Sequence, residues 1–283
     1  MYWFKDTGWR HLASLALLVF ALFPVVYIVS ASLNPGGTLL GSNDLFAVID
    51  FENYRNLFNN PRQPYANWWI NSLVIGLATA TLTAFLCALA AYAFSRFRFK
   101  GRQQGLFGLL LVQMFPQMLG YIAIFALLLS FQEYFPAIGL GQQLGLILVY
   151  LGGALGVNTW LMKGFFDTIP KDLDESAKVD GAGHARTFFT LILPLVVPVL
   201  LVVGMLSYVA TANEYLIART VLGDDPASQT LPVGLYAFIS QQFEAQWGVF
   251  AAGAVLGAIP PVIIFFFAQK YIAGGLLAGA VKG

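Results

Sequence analysis

The stretch Glu175–Pro194 reads ESAKVDGAGHARTFFTLILP and separates two long apolar segments of the chain. Immediately upstream, Pro170 suits the first turn of a helix, and the acidic run DLDE overlaps the position where the positive end of a helix dipole favours carboxylates. Gly181 and Gly183 then end that helix, and HARTFFTL can start a second helix that runs into the next apolar segment. Residues 169–194 therefore predict a two-helix elbow.

The composition of the chain is that of an integral membrane protein. Of the 283 residues, 58% are hydrophobic and 10% are charged, whereas soluble domains carry about 25% charged residues. The net charge of +1 shows no domain-wide basic patch, so we expect no nucleic-acid partner. The single cysteine, Cys87, excludes a disulfide or a CxxC metal site within one chain, and we expect no bound metal ion.

Six apolar segments are long enough, or nearly so, to cross a bilayer, because a hydrocarbon core about 30 Å thick needs roughly 20 helical residues. None of the six contains Asp, Glu, Lys or Arg. The predicted fold is therefore all-α, with a single polytopic domain over residues 1–283 and the elbow between the fourth and fifth transmembrane helices. The predicted helices cover residues 12–33, 68–94, 106–131, 144–162, 191–212 and 247–267.

Lysine and arginine are distributed unevenly between the connections. The two termini and the connections after the second and fourth helices hold 12 of the 15 such residues. Because positive residues concentrate on the cytoplasmic side of membrane proteins, we expect both termini and the elbow in the cytoplasm. The connections at 34–67 and 219–246 then face outward; within the first, FENYRNLF is compatible with either an interfacial helix or a solvated loop.

The elbow resembles a known sequence pattern. In the EAA loop of the inner-membrane permease subunits of binding-protein-dependent ABC importers, E-A-A is followed after three residues by G and after nine more by I-x-L-P. The spacing is intact in this chain, although Ser176 replaces the middle alanine and Leu191 replaces the isoleucine. The matching positions are Glu175, Ala177, Gly181, Leu193 and Pro194.

In that family the elbow docks in a groove of a cytoplasmic ATPase and transmits its motion to the membrane helices. The chain has no phosphate-binding GxxxxGK[ST] motif. We therefore expect no cofactor on this chain, and ATP and Mg on the partner ATPase. By resemblance, the ATPase-coupling residues are Glu175, Ser176, Ala177, Asp180, Gly181, Leu193 and Pro194.

Three further segments are similar to the smaller permease of the maltose-type carbohydrate importers: LPVGLYAF, QWGVFAAGAV and the terminal GGLLAGAVKG. The resemblance implies transport of a di- or oligosaccharide of the maltose, maltodextrin or trehalose type. It also implies that the second outward loop meets the binding protein and that the C-terminal tail reaches between the ATPase subunits. The residues implied are Asp224, Asp225, Thr230, Leu231 and Pro232 in the loop, and Ala280, Val281, Lys282 and Gly283 in the tail.

The same resemblance implies the partners and the location. These are a second permease subunit, a homodimeric cytoplasmic ATPase and an extracytoplasmic sugar-binding protein, assembled at a bacterial or archaeal cytoplasmic membrane. We expect no catalytic residue, because the two histidines, His11 and His184, lie at the cytoplasmic edge and no HExxH motif or paired intramembrane aspartates occur.

An ion-coupled secondary transporter is the alternative function. Such carriers usually bury ionisable groups near the midplane, and the six segments contain none. Glu214, beside Asn213 at the outer end of the fifth helix, is the one candidate, and its position favours the membrane interface over a pathway.

Substrate contacts are predicted from amides and aromatics. Gln113 and Gln117 are four residues apart on the predicted third helix, beside Pro116, and Tyr121 extends the same face. Amides of this kind hold hydroxyl-rich ligands, but hydrogen bonding between helices explains the pair without a ligand and is slightly favoured. The predicted pathway residues are Gln113, Gln117, Tyr121, Asn213 and Glu214.

Overall fold

The computed structural model describes residues 7–35, 45–240 and 245–280, of which 117–118 and 272–280 are described by their backbone alone. Within these residues the chain is helical and contains no β-strand, in agreement with the predicted all-α fold. The helices are α1 (Trp9–Ser32), α2 (Glu52–Asn59), α3 (Tyr65–Arg96), α4 (Arg102–Gln113), α5 (Gln117–Tyr134), α6 (Gln143–Thr168), α7 (Asp172–Val179), α8 (His184–Thr187), α9 (Leu193–Ala212), α10 (Leu216–Leu222), α11 (Leu231–Tyr236), α12 (Trp247–Gly257) and α13 (Ile259–Ala280).

Five helical stretches in the described part of the chain are long and apolar enough to cross a membrane. They correspond to five of the six predicted segments. In the last of them, Ala258 separates α12 from α13 just before two prolines, and α13 continues beyond the predicted end at residue 267. The five stretches are Trp9–Ser32, Tyr65–Arg96, Gln143–Thr168, His184–Ala212 and Trp247–Tyr271.

The predicted third helix, residues 106–131, is not continuous. Helix α4 ends at Gln113, α5 begins at Gln117, and Pro116 between them has a ψ of 113°, which is far from helical. Proline lacks a backbone N–H and disfavours a helical conformation in the residue before it, so the chain is interrupted here and not merely bent. Of the apolar run, Leu119–Tyr134 remains as a shorter apolar helix.

The chain forms two compact units, of which the first comprises residues 1–66 and 233–259. Here α1 and α2 both pack against α12. The amide of Asn53 on α2 donates to the backbone oxygen of Ser32 (3.1 Å), the last residue of α1, and to that of Asn34 (2.8 Å), just beyond the helix. The hydroxyl of Tyr65 donates to the backbone oxygen of Gly253 at 2.9 Å. Buried polar groups thus fix how these helices meet.

The second unit comprises residues 67–232 and 260–283. Its core lies where α3, α6 and the continuous helix His184–Ala212 meet. The helix after the elbow therefore packs into this core along one side. The buried residues of this core are Cys87, Ala88, Ala91, Tyr92, Met162, Phe166, Phe188, Ile192, Val196, Val199 and Val203.

Candidate functional site

The elbow turns at a glycine. After α7, Gly181 has a φ of +76°, in the left-handed region that residues with a Cβ rarely adopt. The backbone N–H of Ala182 donates to the oxygen of Ala177 (2.8 Å), and that of Gly181 donates to the oxygen of Lys178 (3.0 Å). This is the Schellman arrangement, which satisfies the last carbonyl groups of α7. The helix break predicted at Gly181 is present, and the chain is helical again from His184.

Helix α7 has an inward face and an outward face. Asp174 and Ala177, three residues apart, lie on the inward face, and Ala177 is buried. Glu175 and Ser176 are exposed, and the Ser176 hydroxyl donates to the backbone oxygen of Leu173 on its own helix at 3.0 Å. Asp180, at the end of the helix, is exposed too. Serine in place of the middle alanine therefore leaves the inward packing of α7 unchanged.

A wide turn joins the elbow to α9. Residues Phe188–Ile192 form a π-helical turn, in which the N–H of Leu193 donates to the oxygen of Phe188, five residues back. Leu193 packs against the core, and Pro194, which follows it, is exposed. Because proline has no N–H to donate to the usual partner four residues back, a widened turn just before it is a common accommodation.

An arginine at the end of α3 contacts the start of the elbow. The Nε of Arg96 lies 2.9 Å from Oδ2 of Asp174, and these side chains are 6% and 13% exposed. The N–H direction does not meet the geometry of a hydrogen bond, so the contact is an ion pair. A second nitrogen, Nη2, donates to the backbone oxygen of Ile169 at 3.0 Å. The sequence pattern showed Arg96 only as one of several cytoplasmic charges.

A second polar contact beside the first joins α3 to α6. The hydroxyl of Ser95 donates to Oδ1 of Asp167 at 2.7 Å, and the other oxygen of that carboxylate pairs with Lys163, one turn earlier on α6. Ser95 is buried. This hydrogen bond thus connects the C-terminal ends of α3 and α6 next to the start of the elbow.

The tip of the second outward loop is charged and exposed. Asp224 pairs with Arg219 of α10, and its side chain is 89% exposed. The carboxylate of Asp225 accepts the hydroxyl of Ser228 (2.8 Å) and the backbone N–H of Ala227 (3.2 Å). These bonds give the tip a defined shape while leaving both carboxylates accessible.

The base of the same loop is fastened to the first turns of α3. The indole of Trp68 donates to the oxygen of Pro226 (2.6 Å), and the amide of Asn71 donates to the oxygens of Ala227 and Gln229 (both 2.9 Å). The N–H of Leu231, at the start of α11, donates to the Ser72 hydroxyl at 2.7 Å. Leu231 and Pro232 are half-buried. Thr230, predicted as a surface contact, is buried within the chain.

An open cavity of about 740 Å³ brings two of the predicted pathway residues together. Gln113 and Glu214 line it, alongside a mostly apolar surface and the amide of Asn158. The described part of its lining does not include Tyr121, which is half-buried, or Asn213, whose amide bonds to its own helix. The interruption after Gln113 removes the continuous helix on which a shared face with Gln117 was predicted.

Both lining residues make bonds within the chain. The amide of Gln113 donates to the backbone oxygen of Gly153, which joins α4 to α6. One carboxylate oxygen of Glu214 accepts the hydroxyl of Tyr150 (2.8 Å) and the N–H of Ala218 (2.9 Å), and the other accepts the N–H of Ile217 (2.8 Å). Glu214 therefore caps the free N–H groups at the start of α10.

Several predicted site residues lie outside the described parts. Val281, Lys282 and Gly283 of the C-terminal tail lie beyond the described residues, and Ala280 is described by its backbone, as the last residue of α13. The side chain of Gln117 also lies outside the description. Their predicted roles stay predictions.

Most of the chain is similar in sequence to known transport proteins. Residues 80–277 match the family described as "Binding-protein-dependent transport system inner membrane component". The galactooligosaccharides transport system permease protein GanQ of Bacillus subtilis is 40% identical over 280 residues, which cover 96% of this chain and 93% of that protein. The maltodextrin transport system permease protein MdxG of the same species is 37% identical, covering 94% and 93%. MalG of Yersinia pestis, a maltose/maltodextrin permease protein, is 38% identical, covering 96% and 92%.

A solved structure supports the fold. The crystal structure of a bacterial ABC transporter involved in the import of the acidic polysaccharide alginate contains a chain that superimposes with a TM-score of 0.76. The match covers 95% of this chain and 97% of that chain, at 23% sequence identity. These findings confirm the resemblance noted from the elbow. The chain therefore belongs to the inner-membrane components of binding-protein-dependent transport systems and is a multi-pass permease subunit of an ABC importer, coupled to ATP hydrolysis on a separate ATPase.

Proposed function

We propose that this chain forms half of the pathway by which a neutral di- or oligosaccharide, of the maltodextrin or galactooligosaccharide kind, enters the cell. The observation that carries the substrate class is the identity of 37–40% over nearly the full length to permeases named for such sugars. The side chains of Gln113 and Asn158 line the cavity, and each donates its amide N–H to a backbone oxygen of α6. Amide groups also suit hydroxyl-rich, uncharged ligands. Among the described lining residues the one carboxylate is that of Glu214, which accepts the Tyr150 hydroxyl and backbone N–H groups of α10.

The assembly that we propose has four kinds of component. This permease pairs with a second permease subunit, and an extracytoplasmic binding protein delivers the sugar to the outward loop around Asp224. A homodimeric cytoplasmic ATPase, which holds ATP and Mg, engages the exposed face of the elbow around Glu175. Closure of the ATPase would move the elbow and, through it, the membrane helices, so that access alternates between the two sides.

The arrangement in the membrane follows from the same proposal. Five long helices cross the bilayer, and the interrupted pair α4 and α5 makes the sixth crossing. Both termini and the elbow then lie in the cytoplasm of a bacterial or archaeal cell, as the lysine and arginine distribution indicates.

Uptake by the complete transport system tests the substrate class. Cells that lack their own oligosaccharide importers would express this chain together with its second permease, ATPase and binding protein. We expect uptake of labelled maltotriose or galactotriose and none of a uronic-acid trisaccharide. A matched strain, in which the ATPase has lost the lysine of its phosphate-binding loop, should take up neither. Uptake of the acidic sugar alone would refute the substrate class, and uptake that persists without ATP hydrolysis would refute the coupling.

A further inference from the structure

The nearly buried guanidinium of Arg96 has no role in the function proposed above. Its side chain is 6% exposed, and its two observed contacts are both to the segment that opens the elbow: the carboxylate of Asp174 at 2.9 Å and the backbone oxygen of Ile169 at 3.0 Å. A third nitrogen, Nη1, is buried and has no hydrogen-bond partner among the described residues. A buried charge is costly unless it is paired. The Arg96 guanidinium therefore strongly restricts the positions of the Asp174 carboxylate and the Ile169 carbonyl group.

The contact bridges two elements that have different neighbours. Arg96 is the last residue of α3. The C-terminal half of this helix packs into the core with Met162 of α6 and Val203 of α9. Asp174 lies in the first turn of α7, next to the exposed Glu175. The inward face of this short helix therefore meets Arg96, while its outward face stays accessible to a partner.

We infer that Arg96 is a positioning residue that transmits movement of the elbow to α3. The inference rests on the proposed role of the elbow as the ATPase contact. Because the guanidinium holds both the acidic first turn of α7 and the chain just before it, the elbow cannot shift along the membrane surface without displacing the end of α3. The adjacent bond from Ser95 to Asp167 carries the same displacement to α6.

The shape of the arginine side chain matters for this role. Its planar fork reaches a carboxylate and a carbonyl group simultaneously, whereas a lysine ammonium is a single point of charge. Arg98, two residues on, is of the same type but exposed. It therefore offers a matched control.

The test is made with the complete transporter in lipid vesicles, where ATP hydrolysis is measured with and without its binding protein loaded with maltotriose, or with a galactooligosaccharide if uptake selects that sugar. Arg96→Gln should assemble and keep the basal rate of hydrolysis, while stimulation by the loaded binding protein falls about tenfold. Arg98→Gln should be stimulated like the unaltered transporter. Arg96→Lys should lie between the two, and the exchange Arg96→Asp with Asp174→Arg should restore part of the stimulation.

Full stimulation of Arg96→Gln would overturn the inference. If Arg96→Gln does not assemble, Asp174→Asn removes the same ion pair from the other side: lost stimulation with a normal basal rate supports the inference, and unchanged stimulation overturns it. Failure of the proposed function looks different, because then the unaltered transporter itself would show no stimulation by the binding protein.

Discussion

At the scale of single residues, Gly181 shows how the backbone of the elbow depends on one side chain being absent. A Cβ built on this glycine would meet no atom of the described residues within 4 Å, so space is not the constraint. The constraint is the φ of +76°, which costs a residue with a Cβ about 1–2 kcal/mol. Gly183 has an ordinary φ of −73° and is equally uncrowded.

Gly181→Ala should therefore loosen the end of α7. We expect amide hydrogen exchange across Ala177–Ala182 to become roughly tenfold faster, because the left-handed turn becomes costlier to hold. Gly183→Ala is the control and should leave exchange unchanged. The same acceleration in both variants would show that the turn conformation is not the cause.

Glu214 is the other residue whose role the tertiary structure clarifies. Its carboxylate accepts the Tyr150 hydroxyl and two backbone N–H groups of α10. A carboxylate engaged in this way stabilises the start of a helix, and the predicted place of Glu214 at the membrane interface stays a prediction.

At the scale of elements, α4 and α6 show how closely two helices approach. A Cβ on Gly156 of α6 would lie 2.7 Å from Cγ of Gln113 and 2.7 Å from the backbone oxygen of Leu109, both on α4. One turn earlier, a Cβ on Gly152 would have no such neighbour within 4 Å in the described part of the chain. Small residues commonly permit this kind of approach between membrane helices.

Gly156→Ala should destabilise the second unit, because the added methyl group must push α4 away. Overpacking of this kind costs about 1–3 kcal/mol. Gly152→Ala should be neutral or slightly stabilising, since alanine favours helix over glycine by up to about 1 kcal/mol. The thermal unfolding midpoints of the purified transporter variants measure the difference. Equal midpoints would mean that α4 moves aside without cost.

At the scale of the whole molecule, the chain presents apolar surface that a membrane or another subunit must cover. No residue in the apolar window of α1 is buried within the chain, although the end of this helix is anchored through Asn53. Such a surface is stable only in lipid or against other helices. This agrees with a subunit of a larger membrane complex.

Cysteine labelling tests the proposed orientation of the whole chain. Asp224→Cys should react with a membrane-impermeant maleimide in intact cells, because the outward loop faces the exterior. Lys171→Cys should react only after the membrane is permeabilised. The unaltered chain serves as the control, since its one cysteine, Cys87, is buried. Labelling of position 171 in intact cells would reverse the orientation.

Much of the architecture could be predicted because it depends on local chemistry. Hydrophobic length marks five of the six predicted segments, Gly181 marks the turn of the elbow, and Pro116 marks a disturbance in the third segment. The extent of that disturbance could not be predicted, because a proline can either bend or interrupt a helix according to what its neighbours stabilise.

The functional contacts likewise divide into those that the sequence could predict and those that depend on tertiary packing. The spacing of Glu175, Gly181 and Pro194 by itself determined the family resemblance of the elbow, because the motif is defined by residue types at fixed distances along the chain. The tertiary structure alone decided that Arg96 pairs with Asp174 and that Glu214 caps α10. The physical reason is that a polar side chain needs some partner when it leaves water, but only the packing of distant segments decides which partner is within reach.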